Sequence, residues 1–121
     1  MDVSSLLQSI EPAQLEAIVR QSLQRDAFQI QDWQVRQLGG GAGNPVSVGL
    51  YRFEGTGKEG DESLAWSVIL KILQSPANVG MVDMGEGENQ AHWNYWKREL
   101  YMYQSGLLEM LPEGMAAPRC Y

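Results

Sequence analysis

The run Trp66-Ser67-Val68-Ile69-Leu70-Lys71 constrains the fold more than any other stretch of this chain. It has the alternation and β-branched content of a strand, yet it ends in a lysine. An ammonium group resists burial without an anionic partner, so a lysine closing such a strand calls for a phosphate, a carboxylate or water. Side chains at i and i+2 share one face of a strand. Ile69, Lys71 and Leu73 therefore point one way, and Trp66, Val68, Leu70 and Ile72 the other. The second set forms an apolar face suited to packing under a helix. The first presents Lys71 with Ile69 beside it as an apolar roof.

Two further features flank this strand. Upstream, two alternating segments, residues 28–38 and Val46 to about Phe53, enclose Leu38-Gly39-Gly40-Gly41-Ala42-Gly43-Asn44-Pro45-Val46. Glycine lacks Cβ and reaches positive φ, so such a turn lets backbone approach a phosphate closely. Its register is Gly39-x-Gly41-x-x-Asn44-x-Val46. Asparagine at the third glycine position of a G-x-G-x-x-G-x-V pattern also tolerates a left-handed backbone. Downstream, apolar residues at 96, 100, 103, 107 and 110/111 predict a long helix from about Ala91 to Leu111. On its wheel Trp96, Leu100, Tyr103 and Leu107 cluster within about 40 degrees, and Glu99 lies about 60 degrees to one side. From that flank a carboxylate can reach a lysine on a sheet below.

Each feature alone has a plain structural explanation. A glycine-rich turn can be an ordinary hairpin. Lys71 can leave an edge strand into water. Glu99 can be a solvated charge beside Lys97, Arg98 and Glu109. Their order, strand–glycine turn–strand–strand–helix, is the context that a nucleotide-gripping kinase motif requires.

The rest of the chain reads as follows. Asp2 to Leu23 is helical in two pieces, with Leu6, Leu7 and Ile10 in one and Leu15, Ile18, Val19 and Leu23 in the other. Pro12 suits the first turn of the second piece, where its missing N–H costs nothing. Residues 54–63 are polar and read as a hairpin connection, and 65–73 as the third strand. Residues 74–90 read as a long acidic, glycine-bearing loop. Pro112-Glu113-Gly114 ends the long helix, and Ala117 to Tyr121 reads as the start of another strand.

With 44% hydrophobic residues and 121 residues in all, the chain has the makings of one small globular domain. Its net charge of −6 argues against a nucleic-acid backbone as partner. No apolar run approaches a membrane span, and a single cysteine, Cys120, fits a reducing cytoplasm. Gly57-Lys58-Glu59 is not a phosphate loop of the Walker type, which needs Ser or Thr after the lysine. Residues 83–89 lack the alternating ligands of a calcium loop. Cys120 and His92 lack the neighbours of a catalytic pair.

The segments Trp93 to Glu99, Ser105-Gly106-Leu107-Leu108, Leu111-Pro112 and Ala117 to Tyr121, with Gly39 to Asn44 and Val68 to Lys71, resemble the N-terminal lobe of the aminoglycoside phosphotransferase/choline kinase-like family. That family has the protein-kinase-like fold. The resemblance covers about residues 26–121, with 1–25 as a helical segment in front. It implies an α+β lobe in which an antiparallel sheet packs on one long helix, the C-lobe being absent.

By resemblance, Gly39, Gly40, Gly41, Gly43, Asn44 and Val46 would cover the phosphates of ATP. Lys71 would hold the α- and β-phosphates, Glu99 would orient Lys71, and Ile69 would lie against the purine. The family's catalytic aspartate, in an H-x-D-x-x-x-x-N loop, and its magnesium ligands belong to the C-lobe. His92, the one histidine, is followed by Trp93-Asn94 and does not fit that loop. The expectation is a nucleotide-binding lobe of a small-molecule kinase, inactive alone, whose acceptor is held by the missing lobe. The alternative is a non-catalytic nucleotide- or protein-binding module derived from a degenerate kinase. Sheet edges and apolar surface left uncovered would favour self-association.

Overall fold

A computed structural model describes residues 2–39, 47–75, 88–92 and 95–121. Helices α1 (Val3–Gln8) and α2 (Pro12–Leu23) come first, then strands β1 (Gln29–Leu38), β2 (Ser47–Glu59) and β3 (Glu62–Leu73), then helix α3 (Arg98–Gln104) and a 3-10 turn at Leu107–Met110. The class is α+β with a three-stranded antiparallel sheet in the order β1-β2-β3. Among the described residues no helix is long and apolar enough to cross a membrane. The chain divides into two compact units. The first holds residues 2–39 and 49–71, and the second runs chiefly from Ile72 to Cys120.

Local chemistry sets the helix ends. Asp2 caps α1: its Oδ1 accepts from Ser5 N–H at 2.9 Å, and this bonding holds its carboxyl below the usual value. Pro12 opens α2, with the Glu11 N–H donating to Gln14 Oε1 at 3.2 Å in front of it. At the far end Gln24 takes a left-handed conformation, φ 55°, while Arg25 N–H reaches back to Arg20 O at 3.0 Å. The chain thereby turns sharply into β1.

The sheet sorts its side chains by face. In an antiparallel ladder, residues opposite one another share a face. Val35 pairs with Phe53 and Gln37 with Tyr51, while Gln34 pairs with Glu54 and Arg36 with Arg52. Phe53 and Tyr51 are buried, and so is Trp66. On β3, Ala65, Ser67, Ile69 and Lys71 are exposed, while Trp66 is buried and Val68, Leu70 and Ile72 half-buried. Arg52 Nη2 lies 3.4 Å from Ser67 Oγ, which places the odd-numbered β3 residues on the Arg52–Glu54 face.

The first unit's core is therefore one apolar sheet face with Leu15 and Val19 of α2 and Phe28 of the α2–β1 connection, all buried. Polar bonds pin α2 there. Arg20 Nε donates to Phe28 O at 2.7 Å, Ile30 N–H donates to Glu16 Oε2 at 3.0 Å, and Arg25 lies 2.8 Å from Glu62.

Three expectations need correction. The predicted helix over 91–111 is in fact seven residues, Arg98–Gln104. Gly106 at φ 77° ends the helical course, and a 3-10 turn follows. Residues 54–63 are not a connection. β2 runs on to Glu59 and β3 starts at Glu62, leaving Gly60-Asp61 as a two-residue turn. Gly60 has φ +61° and Asp61 does not have positive φ, the signature of a type II′ hairpin. Finally, residues 117–121 form no strand.

Candidate functional site

Lys71 lies two residues before the end of β3 on the open face of the sheet, two residues from Ile69 and on the same side. Ile69 is 55% exposed, unusual for an isoleucine in the middle of a strand. Leu38, the last residue of β1, pairs with Leu50 near the start of β2, on this same face. The open face thus combines apolar side chains at its glycine-turn end with a charged lattice farther along.

In that lattice Glu54 sits between two arginines. Its Oε1 is 3.1 Å from Arg36 Nε and its Oε2 2.8 Å from Arg52 Nε. Next along the sheet, Asp32 Oδ1 accepts from both the N–H and the hydroxyl of Thr56, at 2.8 and 3.1 Å. Asp32 can do this because the ladder register breaks between Ile30 and Asp32, a β-bulge that re-aims its carboxylate. Gly55 is required opposite: a Cβ there would run into the Asp32 carbonyl and Trp33. Asp32, Gln34, Arg52, Glu54, Thr56 and Ser67 line a hollow of about 620 Å³ over this part of the face. The sequence does not single these residues out, because they come from three strands distant in sequence, and Glu54 and Thr56 fall in a segment whose polar composition reads as a connection. The signal was present in the alternating charges Asp32/Arg36 and Arg52/Glu54.

Of the expected glycine-turn residues, Gly39 is described; it is exposed, with no atom near a Cβ placed on it. Gly40, Gly41, Gly43, Asn44 and Val46 lie outside the described residues, as does most of the expected 74–90 loop.

Glu99 belongs to the second unit. It is half-buried in the first turn of α3, where a carboxylate is favoured by the helix dipole. Its neighbour Arg98, an alternative partner for it by sequence, turns elsewhere. Arg98 Nη2 donates to Gln90 O at 3.0 Å and also to His92 O. The same guanidinium lies 5.9 Å from the Tyr95 ring centroid, and Lys97 stands 5.1 Å over the Trp96 ring. Trp96 Nε1 donates to Glu88 Oε1 at 2.9 Å, so residues 88–92 are laced to the start of α3. Burial and the Tyr101 hydroxyl push the Tyr95 phenol above its usual value. Among the described residues no three His, Cys, Asp or Glu side chains gather where a metal ion could sit.

Comparison with protein-family models, with curated proteins and with solved structures found no match.

Proposed function

We propose that this chain carries the nucleotide-gripping lobe of a small-molecule kinase, one that moves the γ-phosphate of ATP to a hydroxyl of its acceptor. One observation supports this best. β3 alternates so that Lys71 and Ile69 occupy the open face while Trp66 enters the core. A lysine that merely escaped burial would not need an exposed isoleucine beside it. Together they offer an ammonium for phosphate oxygens and an apolar surface for a purine, at the end of the sheet where the glycine segment joins β1 to β2.

In this reading Lys71 binds the α- and β-phosphates. Glu99 orients Lys71, and residues 39–46 close over the phosphates with backbone N–H groups. ATP supplies the phosphoryl group, and this chain binds and positions it. The base that takes the acceptor's proton and the ligands for magnesium are assigned to a C-lobe. The 121-residue chain alone is therefore expected to turn over ATP no faster than buffer does.

The test is ATP binding by the 121-residue chain, read by calorimetry or by displacement of a fluorescent ATP analogue. Lys71→Ala should weaken binding at least tenfold, and Ile69→Asp should do so too. Lys58→Ala, at an exposed position near the hairpin turn, should leave binding unchanged. Equal affinity in wild type and Lys71→Ala, or no ATP binding at millimolar concentration, would overturn the proposal.

A further inference from the structure

The hollow on the open face has a wall that is fixed before anything enters it. Asp32 is held by both bonds from Thr56 and by the bulge beside it. Glu54 is held between Arg36 and Arg52, and Arg52 also reaches Ser67. These groups stand on three neighbouring strands of one sheet, which place a side chain more precisely than loops do. A ligand that meets them has little side-chain freedom left to freeze. A volume of about 620 Å³ falls within the range of small-molecule sites.

The chemistry of the wall narrows the ligand by exclusion. Asp32, Gln34, Thr56 and Ser67 are exposed there, with Ala65 as the small apolar group among them. Trp66 is buried, and Trp33 packs its ring on buried Phe53, with 5.6 Å between centroids, on the covered face. An apolar or aromatic ligand therefore finds no matching surface in the hollow. Ions fare no better. Asp32 and Glu54 would repel an anion, and Arg36 and Arg52 a cation. With two charges of each sign in one cluster, an incoming ion meets as much repulsion as attraction.

What this wall offers instead is hydrogen-bonding capacity of mixed kind. Both Thr56 bonds fall on Asp32 Oδ1, which leaves Oδ2 as an acceptor. Arg52 spends Nε on Glu54 and Nη2 on Ser67, which leaves Nη1 as a donor. Gln34 has a donor and an acceptor at its two amide ends, and the Ser67 hydroxyl serves as either. Neighbouring strands set such groups about 4.8 Å apart. A hydroxyl donates and accepts at once. A neutral ring carrying several hydroxyls can therefore satisfy donors and acceptors interleaved at that spacing, where a charged group would satisfy one kind and offend the other.

We propose that this hollow binds a neutral polyhydroxylated ring, a sugar or a cyclitol. Asp32 and Arg52 are its fixed partners, and Gln34 and Ser67 bond its remaining hydroxyls. The site is separate from the Lys71–Ile69 end of the open face and stands whether or not the chain binds ATP.

Isotope-edited NMR on the 121-residue chain reads this directly. The probes are D-glucose and D-galactose for a sugar ring and myo-inositol for a cyclitol, each raised to tens of millimolar, since a small site of this kind binds in about the millimolar range. At least one should shift the Gln34 side-chain amide and the backbone amides of Gln34, Thr56 and Ser67 along a saturating curve, and the probe that does so tells which kind of ring is preferred. Sodium sulfate and tetramethylammonium chloride at the same concentrations should leave those signals in place. Gln34→Ala and Ser67→Ala, both at exposed positions, should each weaken binding by about three- to tenfold, the loss of one hydrogen bond. Their spectra show in the same experiment that the sheet is intact. Lys58→Ala should bind as wild type does. The proposal is overturned if none of the three rings gives a saturating shift, if both variants bind as tightly as wild type, or if sulfate, tetramethylammonium or ATP displaces the ring.

Discussion

The two compact units use apolar residues in opposite ways. In the first, Leu15, Val19, Phe28, Tyr51, Phe53 and Trp66 are buried. In the second, Leu107, Met110 and Met115 are 56%, 81% and 62% exposed, and Tyr95 is the large apolar side chain that is covered among the described residues. The difference lies in whether each apolar set meets a surface. A strand that alternates needs one matching stripe, and α2 supplies it from a few residues upstream. The apolar residues of the second unit are divided by Gly106 between a seven-residue helix and a 3-10 turn, so no continuous stripe forms.

Truncations should expose that contrast most strongly. Phe53→Ala removes a ring 1% exposed and should cost about 3–5 kcal/mol, enough to unfold the first unit of so small a chain. Met110→Ala should stay within about 0.5 kcal/mol. Urea titration followed by tryptophan fluorescence distinguishes them. Comparable losses at the two positions would break the contrast.

Overpacking comes next. Any Cβ at Gly57 would meet the Phe28 ring and the Gln29 carbonyl. Gly57→Val should therefore destabilise the first unit by roughly 1–3 kcal/mol, visible as a lower urea midpoint. A smaller effect comes from the left-handed residues. Gln24 pays a steric cost at φ 55°, so Gln24→Gly should raise the stability of the first unit by up to about 1 kcal/mol. Gly106→Ala, at φ 77°, should lower helicity in the second unit by a similar free energy without moving the first. Circular dichroism with tryptophan fluorescence separates the two changes.

The smallest effect concerns acid. The Asp2 carboxyl is lowered chiefly by the Ser5 N–H, then by the Ser5 hydroxyl. A carboxyl lowered in the fold stabilises fully above its unfolded value and loses that contribution as pH falls through the lowered value. α1 should therefore fray at low pH before the sheet changes. The amide signal of Ser5 should titrate in that window, and Asp2→Asn should abolish the titration.

What the sequence made legible follows the same divide. The break between α1 and α2, Pro12 at the first turn of α2, and the β3 alternation from Ala65 to Ile72 all follow from local chemistry, and the structure shows each of them. The hairpin between β2 and β3 is legible in 54–63, but the run of β2 through Glu59 is not, because its composition is polar, whereas a ladder needs only backbone groups and room for close approach. Gly55 and Gly57 provide that room against Asp32 and Phe28. The helix was over-read because apolar spacing persists through Gly106, and spacing says nothing of the φ at that glycine. Lys71 and Ile69 were placed correctly on one face. The charged lattice around Glu54 escaped notice because cross-strand neighbours are distant in sequence.

The bulge beside Asp32 has a kinetic side. Antiparallel strands can pair during folding in registers offset by two residues, each keeping the same faces inward. A plain ladder offers little to choose between them. Here the surplus residue Gln31 and the paired bonds from Thr56 to Asp32 fit one offset alone, with Gly55 as the gap that admits it. The bulge therefore acts as an index mark between β1 and β2. A slipped intermediate would bury Asp32 against a side chain or lose both Thr56 bonds. Deleting Gln31 would remove the mark while leaving nearly every other contact available, and the expected symptom is slow, multiphase refolding in a chain that is otherwise close to its original stability.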